Sequence, residues 1–241
     1  MKIKINTIIL IVTIIIASKT VAQEHTNSWF RTTLSVPVTE KIKTDLEIQH
    51  RRQNDFESDN LFDKNLMYTF RTWVYYKQNK DVVYALSPFA YFSNYKIIQN
   101  ESDAVSKPSN EYRFCASVEL QHELADKFYI VDRTALEYRV FEGTIENVVR
   151  LRNRLAFRYD LNSNFNTTIG DEIFINASGT DSQHIFDHDR LFANFSYKLN
   201  PSFKFDLGYI YISRLTKSNI DLIDESNIYL NFTYTFRKNN T

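Results

Sequence analysis

Between residues 110 and 160 arginine and glutamate recur at alternate positions. Arg113, Glu119, Arg133, Glu137, Arg139, Arg150, Arg152, Arg154 and Arg158 share this phase, with Glu111 and Glu123 beside them. Guanidinium groups at that density can do one of two things. Opposed to carboxylates across neighbouring strands, they form an ion-pair network that fills space. Lining an aqueous passage, they form a constriction that selects anions or acidic solutes. The segments that carry them are sequential, so the side chains are expected to be neighbours across a ladder.

Other chemistry is thinly represented. Asp181, His184, Asp187, His188 and Asp189 lie within nine residues. Imidazole and carboxylate suit several divalent cations, but this spacing matches no established ligand motif. Ser117 and His122 lie close on one segment, yet five positions apart on a strand means opposite faces. No G-x-S-x-G elbow, glycine-rich phosphate loop or HExxH helix occurs. The one cysteine, Cys115, can form no internal disulfide and reads as an inert thiol. No catalytic residue, metal ligand or cofactor is therefore assigned.

The elements that must position these charges are strands. From Glu111 to Glu123 the residues Tyr112, Phe114, Ala116, Val118 and Leu120 fall on one face and the charged residues on the other. A helix with that pattern would carry charge on every side, whereas a strand separates the faces. The same alternation runs over 41–51, 147–160 and 227–237, and more weakly over 28–37, 65–77, 82–95, 127–140, 164–176, 189–199 and 203–214. Most segments are ten to fifteen residues long. A tilted membrane strand needs about nine to eleven residues, and globular strands average about five or six.

The connections alternate between short and long. Short ones fall near Thr39, Asn79, Ala125, Asn162 and Asn200. Longer polar ones fall at 53–64, 96–110, 177–188 and 215–225, with an intermediate one at 142–146. Outer-membrane barrels have short periplasmic turns and longer external loops. The eleven segments conflict with the even strand number usual for such barrels. Pro37 argues that 28–37 does not span, leaving ten, or else a twelfth segment is unrecognised.

The remaining composition agrees. Tyr (15) and Phe (19) are abundant while Gly (4) and Pro (4) are scarce, a bias toward strands. Trp29, Trp73, Tyr75, Tyr76, Phe89, Tyr91, Phe92 and Tyr95 are expected in aromatic girdles at the membrane interfaces. Lys plus Arg equals Asp plus Glu, at 29 each, so no net field favours nucleic acid. Lys2 and Lys4 precede the apolar run Ile8–Ala17, and Thr20-Val21-Ala22 ends it, which reads as a secretory signal peptide. The expected organisation is a signal peptide at 1–22 and, at 23–241, a single closed antiparallel up-and-down transmembrane β-barrel of about 10–12 strands. A soluble lipocalin-like barrel is the architectural alternative, because periodicity does not say which face points inward.

The chain also resembles the family of Gram-negative outer-membrane barrels known as domain of unknown function 2490. The resemblance rests on Trp29 followed by the hairpin through Lys41 and Glu47 to Arg51-Arg52, on Val149–Leu155, on Phe186–Leu191 leading into Tyr197-Lys198-Leu199, and on Tyr234-Thr235-Phe236. It extends over nearly the whole chain after the leader. It implies placement in the outer membrane and carries no catalytic residues. The expected partners are the lipid bilayer, periplasmic chaperones, the barrel-assembly machinery and an external ligand reached by the longer loops. Three functions stay open: an interaction barrel with a filled lumen, a narrow channel for polar or anionic solutes, and an enzyme acting on lipid or envelope glycan.

Overall fold

The computed structural model describes residues 24–144, 147–215 and 222–237. The expected leader at 1–22 lies outside these. Among the described residues eleven strands form one closed barrel in chain order. They are β1 (Glu24–Pro37), β2 (Ile42–Gln53), β3 (Lys64–Lys77), β4 (Val82–Asn94), β5 (Ser109–Ala125), β6 (Phe128–Phe141), β7 (Asn147–Asp160), β8 (Phe165–Ser178), β9 (Phe186–Lys198), β10 (Phe203–Leu215) and β11 (Leu222–Thr235).

The even-number expectation is corrected. Pro37 is the last residue of β1, where it interrupts no ladder, and the strand spans fully. In an up-and-down barrel an odd count forces first and last strands to run the same way. β1 and β11 accordingly pair in parallel from Glu24↔Asp224 to Ser35↔Thr235, while every other pair is antiparallel. The amino end of β1 therefore lies at the long-loop end, opposite the carboxyl end of β11.

Side-chain oxygens build the short turns. Asn79 Oδ1 accepts from the backbone N–H of Asp81 (2.8 Å) and Val82 (2.9 Å), and Asn162 and Asn200 repeat the arrangement. Thr39 Oγ1 does so at the first turn. Each such bond replaces a ladder partner that the reversing backbone gives up.

The faces are sorted in one direction only. Leu136 (52 % exposed), Leu155, Phe157, Ile173 and Leu207 point outward, while Glu111 and Glu137 inside are fully buried. A lipocalin-like arrangement, with the apolar face inward, is overturned. A continuous outer band of this kind is unfavourable in water and stable in hydrocarbon. Outward aromatic pairs such as Tyr76–Tyr84, Phe128–Phe157 and Phe203–Tyr234 ring the short-turn end, while Tyr91–Tyr112 lies nearer the loops.

Leu151→Arg on this outer face should lower the free energy of membrane assembly by about 2–4 kcal/mol. Thr168→Arg, of inward parity, should cost far less. Urea-dependent folding into lipid vesicles measures both, and equal losses would contradict the assignment of faces.

Candidate functional site in the barrel lumen

Inward parity delivers charge from most strands into one narrow space. On β7 it aligns Arg150, Arg152, Arg154 and Arg158, and on β6 Arg133, Glu137 and Arg139. Register then decides the partners. Glu137 stands directly opposite Arg150, whose Nε and second guanidinium nitrogen donate to it at 3.0 and 2.5 Å. Arg152 stands opposite Ala135, which leaves its guanidinium room to lean across and donate to the other oxygen of Glu137. Arg152 also donates to Glu172 (2.7 Å), and Arg150 to Asp187 (2.5 Å).

Arg113 and Arg139 face each other in register, which would repel in isolation. Glu111 lies between them and accepts from both, from Arg139 Nε at 2.8 Å. Arg214 donates to Glu225 (2.9 Å), and Asn27 donates to Glu225 and Asn227, both at 3.0 Å. Phe174, fully buried, fills the centre. The guanidiniums of Arg150, Arg152 and Arg190 lie 5.0, 4.7 and 4.3 Å from its ring, and His188 stacks on it at 3.9 Å. These side chains occupy the long-loop half of the lumen. Gln53 adds to them, donating to Lys96 O (2.8 Å) and accepting from Ile98 N (3.2 Å), so that the second long loop tucks Ile98 into the barrel end.

The short-turn half is open. A cavity of about 790 Å³ runs from Ser35, Lys198 and Thr235 inward as deep as Trp29, Arg51, Arg150 and Arg190. Seven of the nine charged residues expected in the lumen line it, namely Arg113, Glu119, Arg133, Arg150, Arg152, Arg154 and Arg158. Glu137 lies behind its wall, and Arg139 borders a separate cavity of about 380 Å³ beneath the loops. The nine are thus near one another but not equivalent. Arg154 pairs with Glu119 in a half-exposed bridge at 3.1 Å, whereas Arg150 and Glu137 are sealed.

Sequence reasoning missed half of this site. Glu172, Arg190 and Arg214 carry the network on β8 to β10, where the alternation is weaker, and Asp187 and Glu225 fall in the stretches 177–188 and 215–225 expected to be loops. The girdle assignment also needs correction at four positions. Trp29, Trp73, Tyr75 and Phe92 point into the lumen. Arg51 stacks on Trp29 at 3.4 Å and Arg113 on Phe92 at 3.7 Å. For Phe92 the reason is a bulge: the β4 register shifts between Ser87 and Ala90, and Pro88 sits in the gap where no ladder N–H is needed. The extra residue reverses the parity beyond it.

The weaker candidates separate. Asp181 stays in its loop, where the bond from His184 (2.7 Å) holds its carboxyl below the ordinary value. Asp187 and His188 turn into the lumen. Among the described residues no cluster of three or more His, Cys, Asp or Glu could hold a metal ion. Ser117 lies opposite Ala85 and Ala135 on the lumen side, away from the outward phase of His122.

A closed barrel with lipid-facing leucine and phenylalanine and a lumen of paired charges is an outer-membrane β-barrel. A family model described as protein of unknown function (DUF2490) matches residues 26–222. The chain belongs to that family. No curated protein sequence matches it. Among solved structures it is similar to the outer membrane channel DcaP of Acinetobacter baumannii, at 10 % identity, 80 % coverage of each chain and a TM-score of 0.36. It is also similar to OmpT, an outer membrane protein of Vibrio cholerae, at 8 % identity, covering 80 % of this chain and 82 % of that one, with a TM-score of 0.36.

Removing one partner of a sealed ion pair leaves the other charge uncompensated. Glu137→Gln should therefore lower stability to urea by about 3–5 kcal/mol. Glu119→Gln, in a solvated bridge, should change it by less than about 1 kcal/mol.

Proposed function

We propose that this protein is an interaction barrel of the Gram-negative outer membrane. On this reading its lumen is closed by side chains and its recognition is carried by the long loops. The observation that carries the reading is the sealed layer: Asn27, Glu111, Glu137, Phe174 and Asn227 are fully buried across the barrel interior. Each carboxylate in that layer bonds to arginine or asparagine, so opening it would leave several charges uncompensated at once. The loops, in contrast, present apolar side chains to solvent, among them Phe56, Val105 and Ile185. Such groups on a polar rim are suited to an external partner.

Export through the leader at 1–22, folding with periplasmic chaperones and insertion by the barrel-assembly machinery complete the proposal. The short turns then face the periplasm and the long loops the exterior. A second reading, a narrow channel for small anions, is favoured by the separate cavities on either side of one side-chain layer. There, Arg150 and Arg152 would act as the constriction.

The test is conductance in a planar lipid bilayer, after a heat-dependent gel shift has shown the barrel to be folded. The closed barrel should give no discrete steps, and replacing Arg150 and Phe174 together by alanine should create them. Anion-selective steps from the unaltered protein would replace the proposal with the channel, and neutralising Arg150, Arg152 and Arg154 should then abolish the selectivity.

A further inference from the structure

The sealed layer accounts for the charges of the long-loop half but not for those of the open cavity. Thirteen Lys and Arg residues line that cavity against five Asp and Glu. Among the described residues no carboxylate lies within ion-pairing distance of Arg71 or Arg133, although both line it. Arg71 is 91 % buried, and its Nε is enclosed without a hydrogen-bond partner. The two guanidiniums flank one ring, lying 5.2 and 5.1 Å from the centre of Trp73. Arg133 also stands directly opposite Arg154 in the ladder, which adds a third cation to the same wall. A buried guanidinium is ordinarily matched by an anion. Here Glu47 and Glu119 stand opposite Arg71 and Arg133 in register but bond to Arg31 and Arg154 instead, so among the described residues neither guanidinium is engaged by a carboxylate.

The cavity also carries neutral polar groups. β8 and β11 contribute Asn166, Thr168, Asn231 and Thr233, all lining the same cavity. Their side chains make no hydrogen bond among the described residues, so free amide and hydroxyl groups line the cavity alongside its cations, with Thr168, Asn231 and Thr233 opposite Arg158, Arg31 and Lys204 in the ladder. Amides and hydroxyls pair well with ligand hydroxyls, and guanidiniums bind carboxylate or phosphate through two parallel bonds. The cavity volume falls within the range of small-molecule sites.

We infer that the short-turn half of the lumen is a binding pocket for a small sugar bearing a carboxylate or phosphate group. Arg71 and Arg133 hold the anion, and the Asn and Thr side chains hold the hydroxyls. The inference uses the closed layer only as the floor of the pocket, and binding is read independently of conductance.

The experiment is calorimetric titration of the folded barrel in detergent at 150 mM NaCl, about physiological ionic strength. The probes are glucuronate, glucose 6-phosphate, glucose and inorganic phosphate. At least one of the first two should bind saturably, and at least ten-fold more tightly than glucose or phosphate; which one it is distinguishes carboxylate from phosphate. Arg71→Gln and Arg133→Gln should each raise that Kd by about ten-fold or more, since each removes a charge-assisted pair. Lys204→Gln removes the same charge from the mouth, where Lys204 is bridged to Asp206, and should change Kd by less than two-fold. Failure of both acidic sugars to bind would overturn the pocket. Inorganic phosphate binding as tightly as both sugars would overturn the role of the amides and hydroxyls. Equal weakening by Lys204→Gln would replace the site with a diffuse basic field.

Discussion

Hydrocarbon offers no hydrogen-bond partner to a peptide group, and the rest of this structure follows from that deficit. Every N–H and C=O in the spanning region must pair along a ladder, and a ladder has no unpaired edge only when it closes. Closure by eleven strands obliges β1 and β11 to run in parallel. A parallel pair is slightly weaker per residue than an antiparallel one. Its length, from Glu24 to Ser35, and the interior bonds of Asn27 to Glu225 and Asn227 compensate at the seam.

Closure also determines what the interior must be. With the apolar side chains turned to lipid, alternation sends polar ones into a space too narrow for all of them to be hydrated. Half of that space is resolved by mutual pairing. Glu137 serves Arg150 and Arg152, and Glu111 serves Arg113 and Arg139, so like charges brought together by register are each separated by a shared carboxylate. Small inward residues make this geometry feasible. Ala135 and Ala156 leave room beside long arginines, and Gly208 lets the ring of Tyr229 lie where a β-carbon would come within 2.5 Å of it.

The other half is left with cations in excess and an aqueous opening. The contrast between the two halves is more informative than the number of charges. A lumen filled only for stability has no need of guanidiniums without a carboxylate partner, since an apolar residue of similar volume often does as well. Arg71 and Arg133 beside Trp73 depart from that economy, and departures of this kind cluster where a ligand completes the pairing.

Alternation over Glu111–Glu123, Lys41–Arg51 and Asn147–Asp160 was enough to determine strands, their lengths and the sorting of loops, because the two-residue period is a local property of the chain. All eleven segments were legible, as was the alternation that puts the nine charged residues of β5 to β7 on one face. Which face points inward was not legible, since both assignments have the same period. The strand number within 10–12 was left open because a proline can either end a strand, as Pro37 ends β1, or break it. The inward turn of Phe92 was invisible because one inserted residue at Pro88 reverses phase without altering composition. The division of the arginines into paired and unpaired sets was decided only by tertiary structure. It depends on cross-strand register and on carboxylates supplied by strands as distant as β8 and β9, and no spacing along one chain records which charges meet across a closed barrel.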